Sequence, residues 1–204
     1  MLKFLFLRAI MYDTSIAKFK KDDAELCMLL FLKQRSYDIV KLFINQIAIS
    51  IFGNALSLAT AGENREGLRI GTSIFSILFY LFIIYVMMWE LGAKDSHKIE
   101  RKDEGQTRAA GLYMSLAASS LNFLLAILVT LGTLISALGN VGGVAKLIAL
   151  FTEGMYTGLL AIRVNGVPLN NLWFTYFLLP LPLILTASVS YLAGSKNFKL
   201  FRKK

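Results

Sequence analysis

The sequence has very few of the residues on which soluble enzymes and disulfide-bonded proteins depend. Cysteine and histidine occur once each, as Cys27 and His97. One cysteine excludes an intrachain disulfide, and one histidine excludes the HExxH pair of a zinc protease. Neither a GxSxG nucleophile elbow nor a GxxxxGK[ST] phosphate loop occurs. We therefore expect no enzyme activity, no catalytic residues, no metal and no other cofactor.

Charge is also scarce, at 17% of residues, whereas 56% are apolar and the mean hydropathy is +0.59. Soluble domains average about 45–50% apolar and about 25% charged residues. One core of this size could not bury the excess, so lipid is the simplest environment for it. The net charge of +9 lies between and beyond the apolar blocks and has no basic–aromatic module beside it. We therefore expect membrane lipid, and not nucleic acid, as a partner.

Long charge-free segments divide the chain. Leu42 to Gly62 has no charge over about 21 residues, which is enough to cross a hydrocarbon layer roughly 30 Å thick. The predicted fold is all-α, an integral membrane helical bundle with four transmembrane helices plus interfacial or re-entrant amphipathic helices. The four spans are predicted at about 40–61, 70–91, 110–137 and 171–193. The bundle over 40–193 is preceded by a cytoplasmic or interfacial segment, 1–39, and followed by a basic cytoplasmic tail, 194–204.

Residues 143–162 form an ambiguous segment. Lys146 and Glu153 are seven residues apart and share one helical face, and apolar side chains occupy the other: Val144, Leu147, Ile148, Phe151, Met155, Leu159 and Ile162. This amphipathic pattern fits an interfacial helix, a re-entrant segment or a fifth span. We favour a water-exposed face for Lys146 and Glu153. At membrane depth the same two residues would be costly and functional.

The distribution of Lys and Arg predicts the topology. Eight lie at or before Lys41, two in the 62–69 loop, five in the 94–108 loop and five after Ser195. With four spans, the three richest segments fall on the cytoplasmic side, as the positive-inside rule requires. We expect a multi-pass protein of the cell (inner or plasma) membrane with both termini in the cytoplasm.

Two kinds of residue inside the spans are candidates for function. The amides of Asn45 and Asn122 need partners in hydrocarbon, either on a neighbouring helix or as the lining of a substrate path. Small residues recur every four positions and allow helices to approach closely, either within this chain or against another one. These candidate packing residues are Gly53, Ser57, Gly111, Ser115, Ser119, Gly154 and Gly158.

One local motif resembles a known group of proteins. The run from Trp89 to Asp95 (WELGAKD), followed by Gly111-Leu112-Tyr113, is similar to small polytopic membrane proteins of Gram-positive bacteria that have no assigned activity. The resemblance covers about a fifth of the chain and implies a bacterial inner membrane. It implies no reaction, and no functional residue can be carried over from it.

The sequence leaves two functional hypotheses. The first is a non-enzymatic membrane-embedded subunit, which associates with other membrane subunits or with itself through its small-residue faces. The alternative is a small-molecule transporter or channel component. That alternative predicts a polar cavity uniting Asn45 and Asn122 with Lys146 or Glu153.

Overall fold

The computed structural model describes residues 30–62, 66–100 and 108–196. The chain divides into two compact units, Met1–Tyr37 and Asp38–Lys204, and most of the first unit is not described. Outside the described residues lie 1–29 of the predicted segment 1–39, 101–107 of the predicted loop 94–108, and 197–204 of the predicted tail 194–204. For those three parts the expectations stay predictions. The first part of that loop, 94–100, is helical.

The described residues are almost entirely helical, which confirms the all-α fold class. The α-helices are α1 (Ser36–Ala59), α2 (Glu66–Glu100), α3 (Ala110–Ala118), α4 (Ser120–Leu134), α5 (Gly139–Thr152), α6 (Thr157–Leu160), α7 (Thr175–Leu178) and α8 (Leu181–Ser195). Short 3-10 turns cover Ser136–Leu138, Gly154–Tyr156 and Leu169–Asn171. One antiparallel hairpin pairs β1 (Arg163–Val164) with β2 (Val167–Pro168) through a turn at Asn165 and Gly166, both of which have positive φ.

Within the described residues, three helices are long and apolar enough to cross a membrane: Ser36–Ala59, Glu66–Ser96 and Thr175–Ser195. The count becomes four if α3 and α4, which meet at 47°, form one bent span. These four elements coincide in position with the four predicted spans, but the third is bent instead of straight. Ser115 Oγ donates to Leu112 O one turn before the bend, and such hydroxyl back-bonding bends helices.

Glycines let α2 and α8 pack against each other at backbone distance. Gly92 lies against Tyr191 and Ser195, and Gly194 lies against the backbone of Trp89. Small residues at such positions are what allow helix axes to approach closely. The contact joins the last third of α2 to the last turns of α8.

The hairpin fixes the relative direction of these two helices. Gly158 lies against Arg69 near the start of α2, and Leu169 N–H donates to Ile162 O, which closes the hairpin. The chain from Gly158 to Thr175 therefore stays near the start of α2, and α8 follows it directly. Because both helices begin near the hairpin and both end near the contact that involves Gly92 and Gly194, α2 and α8 run parallel. We call the end of the bundle that carries the hairpin the hairpin end, and the end that carries Ser195 the tail end.

The segment from α5 to α6 begins and ends at the hairpin end. Leu147 of α5 lines the same groove as Leu58 and Ala61, just at and beyond the end of α1, whereas Thr152 contacts Ser50 near the middle of α1. After the turn at Gly154–Tyr156, α6 leads back to the start of α2. The predicted amphipathic segment is therefore not one helix, and it enters and leaves the bundle at the same end. Its placement in a membrane, as an interfacial, re-entrant or spanning segment, stays a prediction. Its break falls where Gly154 meets the side chain of Asn54 and the backbone of Ser50, a contact too close for any Cβ.

Candidate functional site

A row of polar side chains on α1 meets the broken end of α5. Gln46, Ser50 and Asn54 are four residues apart and share one face of α1. Ser50 Oγ donates to Thr152 O, and Asn54 Nδ2 donates to Phe151 O at 3.3 Å. The last carbonyls of a helix have no partner within it. The α1 row therefore supplies partners that a broken helix end needs in an apolar environment.

Glu153 follows this helix end and is 3% exposed. Gln46 Nε2 donates to Glu153 Oε1 at 3.0 Å, and Gln46 is 1% exposed. Gln46 lies ten residues after Ser36 and thirteen before Ala59, so the carboxyl is level with the middle of α1. The prediction that Glu153 lies on a water-exposed face is therefore wrong. The helix ends at Thr152, and the turn that follows directs Glu153 towards the interior.

The apolar residues of the amphipathic pattern that lie on α5 have the orientation that suits lipid, whereas Met155, after the break, is buried. Val144, Leu147 and Phe151 are 58%, 69% and 57% exposed, whereas Ala145 and Ala149 face inward. Lys146 is partly exposed, and its Nζ donates to Asn171 Oδ1 at 2.6 Å near the hairpin. Lys146 and Glu153 are thus in different environments, although a regular helix would place them on one face.

Two buried tyrosines complete the surroundings of Glu153. Tyr80 of α2 and Tyr156 of the 3-10 turn both interact electrostatically with Glu153, and they are 0% and 5% exposed. Among the described residues, neither tyrosine Oη nor Gln46 Oε1 has a hydrogen-bond partner. A buried unpaired polar group costs about 1–3 kcal/mol.

The predicted amides lie elsewhere. Asn45 Nδ2 donates to Met87 Sδ at 3.4 Å. Asn122 is buried on α4 just after the bend, and neither end of its amide has a partner in the described part of the chain. Glu153 accepts its side-chain hydrogen bond from Gln46, and its electrostatic neighbours are Tyr80 and Tyr156. The polar group around Glu153 therefore contains neither predicted amide. The four-residue spacing of Gln46, Ser50 and Asn54 was the sequence signal for the polar face of α1, from which Gln46 reaches Glu153.

The candidate packing residues form helix contacts within this chain. A Cβ at Gly53 would lie 2.5 Å from Met155 Cα, and one at Gly111 would lie 2.5 Å from Tyr191 Cβ. The remaining members are also buried: Ser57, Ser115, Ser119, Gly154 and Gly158. These residues are therefore not exposed for docking another chain.

A cavity of about 350 Å³ opens at the hairpin end, and we call it the hairpin pocket. Its charged members are Glu66, Arg69 and Arg163, so two positive side chains face one negative one. Its other lining residues are Ile70, Gly158, Ala161, Ile162, Pro168 and Asn170. In the described residues, no group of three or more His, Cys, Asp or Glu side chains could hold a metal ion.

Comparison with known proteins finds no match: no family model matches the chain, no curated protein is significantly similar to it, and no solved structure matches it. The resemblance carried by Trp89–Asp95 stays a prediction. The functional argument therefore depends on the geometry around Glu153.

Proposed function

We propose that the chain is an integral membrane protein that serves transport, as a transporter or channel component, with Glu153 as its ion-binding carboxyl. The ligand of this carboxyl is a proton or a monovalent cation. One carboxylate balances one positive charge, and its described neighbours are neutral amide and hydroxyl groups. A divalent ion would need further acidic ligands.

The membrane assignment is supported by what the helices expose. Large apolar side chains are more than half exposed on α2 and α8, among them Leu78 (62%), Phe82 (60%), Leu185 (65%) and Val189 (63%). Soluble monomers rarely expose contiguous apolar areas on this scale. With four spans and the predicted orientation, the tail end faces the cytoplasm and the hairpin end faces the opposite side.

One observation carries the transport assignment: a carboxyl with 3% exposure lies at the break between α5 and α6, level with the middle of α1. Ionisable groups inside membranes are costly and mark ion or substrate pathways. Broken helices at membrane mid-depth are likewise the usual site of ion binding in secondary transporters.

The hypothesis of a non-enzymatic subunit stays a prediction. Its supporting feature was the small-residue faces, and those faces are buried inside this chain. Purification with a stoichiometric membrane partner would support it. A transport component can also be such a subunit, so the role of Glu153 is the decisive question.

Dicyclohexylcarbodiimide tests the proposal because it reacts with protonated carboxyls in apolar surroundings. The full chain is treated in liposomes, and the modified residue is identified by mass spectrometry. We expect the adduct on Glu153, with labelling that slows as the pH rises. A Glu153→Gln variant should lose the adduct, and a Glu90→Gln variant, which alters an exposed glutamate of α2, should retain it.

The same liposomes test transport. Proton uptake driven by a potassium diffusion potential is followed with a trapped pH dye, and Na⁺ is added to one set. We expect Glu153→Gln to lose uptake and Glu90→Gln to keep it. Slower labelling in Na⁺ would identify Na⁺ as a ligand. An unlabelled Glu153 at every pH, together with uptake unchanged by Glu153→Gln, would contradict the proposed function.

A further inference from the structure

A line of polar side chains runs along the face of α2 that meets α6 and the turn before it. Arg69, Ser73, Ser76 and Tyr80 follow one another at spacings of four, three and four residues, which places them on one helical face. Ser73, Ser76 and Tyr80 are 5%, 0% and 0% exposed. We call these four residues the α2 polar stripe. From Arg69 to Tyr80 the helix rises about 16 Å, about half the thickness of a hydrocarbon layer of roughly 30 Å.

The stripe joins two features of the structure that are otherwise separate. At one end, Arg69 and Gly158 line the hairpin pocket, and Gly158 N–H donates to Ser73 Oγ at 2.8 Å. At the other end, the buried Tyr80 interacts electrostatically with Glu153. Ser76 Oγ donates to Thr72 O within the helix, so the stripe is a row of separate hydroxyl groups. Because hydroxyl groups both donate and accept hydrogen bonds, such a row can order water molecules that pass a proton between them.

The same face of α2 is apolar for the two turns that follow Tyr80. Ile84 and Met88, four and eight residues further towards the tail end, are both 0% exposed. Neither side chain offers a strong hydrogen-bonding group. The next polar residue on this face is the buried Asp95, about 22 Å beyond Tyr80 along the helix, so the polar groups closest to Tyr80 on this face lie towards the hairpin end.

The groups along this route help to identify what moves. Arg69 and Arg163 outnumber Glu66 at the pocket, so the local field there disfavours cations, protons included. A proton needs no shell of oxygen ligands along its path, because it can be transferred between neighbouring hydroxyl groups and water. Na⁺ needs several oxygen ligands at each position, and the stripe offers single hydroxyl groups, so the stripe favours the proton over Na⁺.

We propose that Glu153 exchanges protons with the aqueous phase at the hairpin end only, through the hairpin pocket and the α2 polar stripe. This inference rests on the proposed function and adds to it the ligand and the side of access. It predicts that the protonation of Glu153 follows the pH on one side of the membrane and ignores the pH on the other.

This prediction can be tested in sealed vesicles that contain the full chain, with the hairpin end facing outward in one preparation and inward in the other. The pH inside and outside is set independently, and the rate of Glu153 modification by dicyclohexylcarbodiimide, which crosses the membrane, is measured. An impermeant maleimide identifies the hairpin side by reacting with a Val164→Cys variant in a Cys27→Ser background. We expect the modification rate to rise with proton concentration on the hairpin side and to change less than twofold with the pH of the tail side.

A blocked pocket provides the second measurement. In the Cys27→Ser background, an Ile70→Cys variant places a thiol in the pocket lining, and a Gly71→Cys variant places one on the exposed neighbouring position. A bulky impermeant thiol reagent is added before the pH is changed. We expect the blocked Ile70→Cys protein to lose its response to hairpin-side pH and the Gly71→Cys protein to keep it.

The outcomes separate the two proposals. A modification rate that follows tail-side pH, or the pH of both sides equally, overturns the access route while Glu153 keeps its role. A response that survives the block at Ile70→Cys overturns the pocket as the entrance. Failure of Glu153 to react at any pH on either side contradicts the proposed function itself.

Discussion

Two neighbouring glycines of α5 allow the helix packing to be tested with a matched pair of substitutions. Gly142 is buried against α4, and a Cβ placed on it would lie 2.6 Å from Gly132 Cα. Gly143, the next residue, is exposed, and a Cβ placed on it would meet nothing within 4 Å. We predict that Gly142→Ala lowers the free energy of unfolding relative to Gly143→Ala.

The magnitude follows from two terms. Alanine gains about 0.8–1 kcal/mol over glycine in a helix interior, and both variants receive this gain. Only Gly142→Ala must also separate two helix backbones, because its Cβ meets backbone atoms and not the end of a flexible side chain. Overpacking of this kind costs about 1–3 kcal/mol. The difference between the variants therefore isolates the α4–α5 contact.

Thermal unfolding in detergent measures this difference. For chains of about 150–250 residues, 1 kcal/mol shifts the midpoint by roughly 2–4 °C. We expect Gly142→Ala to unfold about 2–12 °C below Gly143→Ala, with Gly143→Ala at or above the wild type. Equal midpoints for the two variants would refute the packing of α4 against α5 through Gly132 and Gly142.

Three further substitutions test the polar contacts of the bundle. Ser50→Ala leaves Thr152 O without its donor and should cost about 1–3 kcal/mol, seen as a lower unfolding midpoint; an unchanged midpoint would argue against the cap. Tyr191→Phe removes the donor to Asp95 Oδ2 at 3.1 Å and should cost about 1.5–3 kcal/mol in the same assay, whereas no loss would show that the bond contributes nothing. Asn122→Leu replaces an amide that is unpartnered among the described residues, and we expect the midpoint to rise by a few degrees; a fall would indicate that the amide has a partner such as bound water.

Much of the fold could be predicted because the membrane constrains helices through length and composition. The charge-free segments gave the positions of the apolar helices, since about 20 apolar residues are needed to cross the hydrocarbon layer. The sequence also predicted small residues at helix contacts. It could not say which helices they join, because closeness at Gly92, Gly132 or Gly158 depends on residues far away in the chain.

The candidate site shows the same division between sequence and structure. The sequence identified Glu153 as an ionisable residue in an apolar segment. A regular helical period, however, predicted that it shares a water-exposed face with Lys146. Only the tertiary structure ends that helix at Thr152, and the physical reason is that α1 offers side-chain donors to the freed carbonyls.

Composition and charge alone determined that this chain is a set of apolar helices with basic connections, because these properties reflect the solvent around each segment. The surroundings of Glu153 were decided by tertiary structure. Gln46, Tyr80 and Tyr156 come from three separate parts of the chain, and no local periodicity relates them. They meet because the last carbonyl groups of α5 need hydrogen-bond donors inside the bundle, and the polar face of α1 supplies those donors.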